Sequence, residues 1–164
     1  MKEFMEKWEK RHEPIPEDNI EEIVDDDIDI FISYADEDMQ KAKNIASKLT
    51  NLGAKVWFDK TALISSDHFD SIIEEKITKA KRFMPIISKT TMMPIRRYFR
   101  KEWTLAIREE DYRYGLSYFA PVVVDNCNVN SDEIPKPFRL AHTIDANSED
   151  FELQLKKLIR SIRS

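Results

Sequence analysis

Residues 28–53 read IDIFISYADEDMQKAKNIASKLTNLG, and this stretch decides the fold. Ile28, Ile30 and Ile32 alternate while Phe31 fills the opposite face, the pattern of a strand covered on both sides. The period then changes: Ala42, Ile45, Ala46, Leu49 and Leu52 recur at helical spacing, opened by the acids Asp36 to Asp38. Gly53 closes the run as a C-terminal cap. A strand is followed by its crossover helix.

The same unit recurs downstream. A strand is expected at Val56 to Phe58, then a helix with Phe69, Ile72, Ile73, Ile77 and Ala80 on one face, capped by Ser66 or Asp67. A third strand follows at Phe83 to Ile87, where Pro85 lacks a donor and weakens the pattern, although proline is tolerated at edges and bulges. Residues 98–110 read as helix, Tyr118 to Val124 as strand, and Ser148 caps a last helix with Phe151, Leu155, Leu158, Ile159 and Ile162. Alternating strands and helices predict an α/β fold with a doubly wound parallel sheet. Ligands of such sheets gather beyond the carboxyl ends of the strands, in loops that begin here at Tyr34, Asp59, Ser88 and Asp125.

Upstream, residues 1–27 set Phe4, Met5 and Trp8 among charges, then Pro14 and Pro16, then Asp25, Asp26 and Asp27. This reads as a short helix and an acidic linker preceding a domain over 28–164. Asp25 to Asp27 enter a strand at its amino end, the wrong side for a Mg²⁺ or phosphoacceptor site. Residues 1–29 hold 12 acids and 4 bases, net −8, so the remainder of this −5 chain carries +3. A near-neutral body does not suit a dedicated nucleic-acid binder.

Glycine is scarce, with only Gly53 and Gly115 in 164 residues. Neither a P-loop nor a dinucleotide fingerprint can be assembled from two distant glycines. The single Cys127 excludes an internal disulfide and cysteine-rich metal sites, and His12, His68 and His142 are too scattered for a ligand pair. No metal is expected, and a reducing, cytoplasmic compartment fits. No apolar run approaches the ~20 residues of a membrane span.

One residue stands out chemically. On a helical projection of 98–110, Leu105, Tyr98, Glu102, Ala106, Phe99, Trp103 and Ile107 share an arc of about 200°. Glu102 lies inside that apolar arc, with Arg100, Lys101, Thr104 and Arg108 opposite. A carboxylate so placed is either a buried ion-pair partner or an acid facing a partly dry pocket. Arg96, Arg97, Tyr98, Phe99, Arg100 and Lys101 mix bases with aromatics, a texture read as a loop and a solvated face. Cys127, in an Asp-Asn-Cys-Asn loop, has no histidine nearby in sequence.

The ordered set of motifs resembles a TIR domain of the bacterial type. It comprises Phe31-Ile32-Ser33-Tyr34-Ala35-Asp36-Glu37-Asp38, Val56-Trp57-Phe58-Asp59 with Leu63, Pro85-Ile86-Ile87-Ser88 and Tyr98-Phe99-Arg100-Lys101-Glu102-Trp103. Pro121-Val122-Val123-Val124-Asp125 and Ile134-Pro135-Lys136-Pro137-Phe138-Arg139 extend the likeness, which covers residues 28–164. The resemblance implies a flavodoxin-like fold with a central five-stranded parallel sheet and helices on both faces. It also implies NAD+ as substrate, with no cofactor, cleaved at the nicotinamide–ribose bond to ADP-ribose or a cyclic ADP-ribose.

The family's essential glutamate ends an aromatic-x-x-x-Glu motif, which falls on Glu102, with Tyr98 where Trp is more usual. By the same likeness Tyr34, Ala35, Asp36, Trp57, Phe58, Asp59 and Leu63 would wall the substrate pocket and Tyr98 would pack beside the ribose. One departure is Ser66, where the family's loop usually carries glycine. The implied setting is prokaryotic antiphage immunity, with activation by association of TIR domains and an upstream or partner sensor or effector domain. Two other readings are a non-catalytic TIR scaffold and a receiver-like or deoxyribosyltransferase-like fold.

Overall fold

The computed structural model describes residues 27–58, 68–94, 97–113 and 117–163. Five parallel strands form one sheet in the order β2-β1-β3-β4-β5. They are β1 (Ile28–Ser33), β2 (Val56–Trp57), β3 (Ala80–Ile87), β4 (Val122–Val123) and β5 (Ile144–Asp145). The helices are α1 (Met39–Asn51), α2 (Phe69–Lys79), α3 (Tyr98–Glu110), α4 (Lys136–Leu140) and α5 (Phe151–Arg163). Because chain order reverses between β1 and β3, the loops after these two strands diverge and open the crevice where doubly wound sheets bind ligands.

All six residues of β1 are buried, as its nearly continuous apolar run requires. Phe31 packs toward Ile73 and Ile77 of α2 and Phe99, Trp103 and Ala106 of α3. Ile30 and Ile32 pack toward Ala42, Ile45 and Leu49 of α1 and Phe151, Leu155 and Ile159 of α5. Helices therefore cover both faces of the sheet. Gly53 ends α1 with φ +95°, and the bonds Gly53 N–H to Thr50 and Ala54 N–H to Leu49 close the cap. The Arg163 guanidinium at the end of α5 reaches the Gly53 carbonyl.

The expected ends of α2 are corrected. Helix α2 stops at Lys79, and Ala80 already begins β3, extended at φ −70°, ψ 139° and paired with Ile28. His68 rather than Ser66 or Asp67 stands at the start of α2; those two residues lie outside the described ones. The strand expected at Phe83–Ile87 is present within β3, and Pro85 lies on this interior strand.

The register explains how that proline is tolerated. Phe83 pairs with Phe119 and Ile86 with Val122, so the same offset sets Pro85 beside Pro121. Two residues without N–H groups face each other, and the ladder is interrupted there. The expected strand over Tyr118 to Val124 accordingly shrinks to Val122–Val123 plus an isolated bridge at Phe119. The Pro121 carbonyl still serves, accepting from Ile144 N–H at 2.9 Å and so holding β5.

Candidate functional site

Helix α3 carries Phe99, Glu102, Trp103 and Ala106 inward, as its sequence period demands. Glu102 is 0 % exposed and lies between two aromatic neighbours on its own helix, Phe99 and Trp103, whose rings meet edge to face at 5.0 Å. Its Oε1 accepts a 2.7 Å hydrogen bond from the Ser33 hydroxyl, the last residue of β1. Burial in an apolar layer disfavours a carboxylate's charge, whereas a hydroxyl donor aimed at it favours that charge. The arrangement is a fully buried acid that is hydrogen-bonded to the carboxyl end of a central strand.

The first turn of α3 is tied down on two sides. Arg97, at its N-cap, forms a bidentate ion pair with Glu37 in the turn Asp36–Asp38, its longer contact 3.0 Å. The guanidinium holds the Glu37 carboxyl below the usual range. On the other side Asp70 of α2 accepts from Lys101 Nζ at 2.7 Å and from the Tyr98 hydroxyl at 2.8 Å, bonds that depress its pKa. Burial, then the Asp70 bond and the nearby Glu102 charge, push the Tyr98 phenol up. The Tyr98 ring packs on Phe69 at 5.0 Å and remains 37 % exposed. Tyr98 precedes Glu102 by one helical turn, which puts it on the same face.

A second carboxylate is buried at this edge. Asp38, 6 % exposed, accepts from the Ser88 hydroxyl at 2.5 Å. Burial raises its pKa against that bond. Ser88 is also knotted to Thr91: Ser88 N–H donates to Thr91 Oγ1 at 2.8 Å, and Thr91 Oγ1 donates to the Ser88 carbonyl at 3.0 Å. Beyond it, Asp125 accepts from the backbone N–H groups of Lys89 and Cys127; burial opposes them, but these bonds hold its pKa down. Burial and the Asp125 charge push the Cys127 thiol up to about 12. It is no ready nucleophile.

The residues expected at the pocket divide between the two layers. Trp57 packs on the layer that holds Glu102, with Lys76 Nζ 5.3 Å from its ring centre and its indole N–H buried without a hydrogen-bond partner among the described residues. Ala35 is buried in the same layer. Tyr34 and Phe58 lie in the opposite layer, their rings 6.2 Å apart, with α1 and α5. Asp36 is exposed in the turn after β1. Asp59 and Leu63, like Ser66, lie outside the described residues.

Sequence reasoning gave no site role to Ser33, Ser88 or Asp70, and read Asp38 only as one of the acids opening the first helix or imitating a receiver-like acidic pair. Only their polarity at strand ends and helix starts marked them. Of the basic-aromatic run, Arg97 and Arg100 have structural partners, Arg100 reaching the carbonyls of Thr91 at 3.0 Å and Met93 at 2.8 Å. Among the described residues no group of three or more His, Cys, Asp or Glu side chains gathers to hold a metal, and no helix is long and apolar enough to cross a membrane.

A model of the TIR domain family matches residues 30–159. The chain belongs to the TIR family. This TIR domain is 33 % identical over 76 residues to the NAD(+) hydrolase TcpA of Theionarchaea archaeon (strain DG-70-1), a match covering 46 % of this chain and 21 % of that protein. The chain thus spans about a fifth of that relative's length. The TIR domain of the Toll-related receptor TRR-2 from Hydra magnipapillata superposes with TM-score 0.64 at 19 % identity, over 84 % of this chain and 99 % of that one. A TIR-STING receptor from C. gigas, solved with 2′,3′-cGAMP, gives TM-score 0.60 at 20 % identity over 82 % of this chain and 39 % of that one. At those identities the structural likeness shows the fold, a five-stranded parallel sheet wrapped by helices.

Proposed function

We propose that this TIR domain cleaves NAD+ at the nicotinamide–ribose bond, with Glu102 as the catalytic residue. The observation that carries the reading is a fully buried carboxylate at the end of the Tyr98-x-x-x-Glu102 motif, given a hydroxyl donor by Ser33 at the carboxyl edge of the sheet. The partial likeness to an NAD(+) hydrolase supports it.

Scission of the C1′–N bond sends its electron pair to the pyridinium nitrogen and releases neutral nicotinamide. Positive charge is left on an oxocarbenium-like ribosyl centre. A carboxylate preorganised in an apolar wall stabilises that developing charge more strongly than water does. Glu102 takes this role and helps to hold the ribose hydroxyls. Water attacking C1′ and losing a proton gives ADP-ribose; attack by an adenine nitrogen or a ribose hydroxyl of the same molecule gives a cyclic ADP-ribose.

Trp57 and Ala35 share the Glu102 layer and form the inner wall, with Tyr98 at the mouth beside the ribose. The family likeness adds Tyr34, Asp36, Phe58, Asp59 and Leu63 as candidate substrate contacts, Tyr34 and Phe58 from the opposite layer of the sheet. Association with other TIR domains switches the activity on, in a cytoplasmic antiphage response, with a sensor or effector domain as partner. The test is incubation of the concentrated protein and its Glu102→Gln variant with NAD+, following nicotinamide release and resolving the ribosyl product by chromatography. Glutamate-dependent release is expected. Silence with assembly independently confirmed would replace this reading with a TIR scaffold.

A further inference from the structure

The bond between Ser33 and Glu102 joins residues 69 apart in sequence, both 0 % exposed, one at the end of β1 and the other on the second turn of α3. A serine hydroxyl has one proton to donate, and at 2.7 Å this one is aimed at Oε1. Two consequences follow from elementary electrostatics. A hydroxyl donor stabilises the ionised carboxylate over the acid, opposing the desolvation that burial imposes. It also fixes one oxygen and so restricts rotation of the carboxylate plane. Both are needed by a group that must be charged and correctly oriented before substrate arrives.

Ser33 is well suited to this task because its own backbone is immobile. It is the last residue of the most buried strand, in register with Pro85 of β3. Rotamer freedom at the site is thus set by the sheet and not by a loop. Resting on the proposed cleavage reaction, we infer that Ser33 is the positioning residue of the site, holding Glu102 ionised and in the orientation that faces the ribosyl centre. Its counterpart Ser88 donates to a different carboxylate at the same sheet edge and serves as the internal control.

The ionisable groups on the elements packed around Glu102 are Tyr98, Arg100, Lys101, Arg108, Glu109 and Glu110 on its helix with Arg97 at the cap, Asp70, Glu74, Glu75, Lys76 and Lys79 on α2, Asp29 on β1, and Asp36, Glu37 and Asp38 after β1. None is altered by substitution of Ser33. The experiment compares wild type, Ser33→Ala, Ser33→Thr and Ser88→Ala, each first checked for a cooperative melt. The Glu102 side-chain carboxyl is titrated by carbon-13 NMR, and kcat and KM for nicotinamide release are measured on the same samples.

In Ser33→Ala the Glu102 midpoint should rise, kcat should fall about tenfold to a hundredfold with KM little changed, and Ser33→Thr should recover both. Ser88→Ala should leave the Glu102 midpoint in place. An unmoved midpoint in Ser33→Ala, or a loss confined to KM, would overturn the inference even if wild type cleaves NAD+. Absence of release from wild type would instead sink the cleavage reaction, and the NMR titration would still decide whether Ser33 sets the charge of Glu102.

Discussion

Two carboxylates are buried at the carboxyl edge of this sheet, and each accepts from a serine at the end of the other's strand. Glu102, on the helix after β3, takes the hydroxyl of Ser33 from β1; Asp38, in the turn after β1, takes that of Ser88 from just beyond β3. Their surroundings differ. Asp38 belongs to a net of short-range bonds in which Ser88 and Thr91 bind each other through backbone and side chain. Glu102 shares the buried face of its helix with Phe99 and Trp103, and the exposed Tyr98 lies one turn away. The first carboxylate ties two diverging loops together; the second joins α3 to the end of β1. Burial of a carboxylate therefore does not by itself mark chemistry, and what surrounds it does.

The widest separation between the two sites is expected from Glu102→Gln. Nicotinamide release should fall by about a thousandfold, in the range seen when a preorganised charge-stabilising group is lost, while the melting curve changes little. Side-by-side activity and circular-dichroism melts check both halves.

Ser88→Ala should do the reverse. It removes a donor from a buried carboxylate and should lower unfolding free energy by about 1–3 kcal/mol in a urea titration. Glu102-dependent release per folded molecule should persist.

A third test uses pH. Because the folded protein holds Asp38 above its ordinary carboxylate pKa, the native state binds more protons than the unfolded chain between those two values. Stability contributed at this site is therefore present at low pH and lost as pH rises through the interval. Relative to Asp38→Asn, wild type should gain stability on mild acidification from neutrality. Paired urea titrations down to the ordinary carboxylate range would detect a relative loss, which would break the distinction drawn here.

The smallest effect is expected at the exposed tie between Glu37 and Arg97. Glu37→Gln should shift the melt only slightly, and the difference should vanish in high salt because solvent-exposed pairs are screened.

Much of the fold was legible because its signals are local. The alternation of Ile28, Ile30 and Ile32 and the helical spacing from Ala42 to Leu49 are each set by a backbone period. Glu102 was legible for the same reason, since its place within an apolar arc is a property of one helix. Its partner was not, because the bond to Ser33 depends on the packing of α3 across β1. The interruption of β4 depends likewise on register, which alone brings Pro85 beside Pro121.

The division of the expected pocket has a simpler cause. Successive residues of an extended strand point to opposite faces, so Trp57 and Phe58 at the end of β2, and Tyr34 and Ala35 just beyond β1, separate into different layers. Motifs quoted as contiguous runs conceal that alternation.

The most direct measurement is nicotinamide release from NAD+ by wild type, Glu102→Gln and Asp38→Asn at equal, high concentrations of folded protein. Wild type and Asp38→Asn should release nicotinamide, and Glu102→Gln should not. Equal release by wild type and Glu102→Gln, or loss in Asp38→Asn with Glu102→Gln active, would contradict the catalytic role of Glu102.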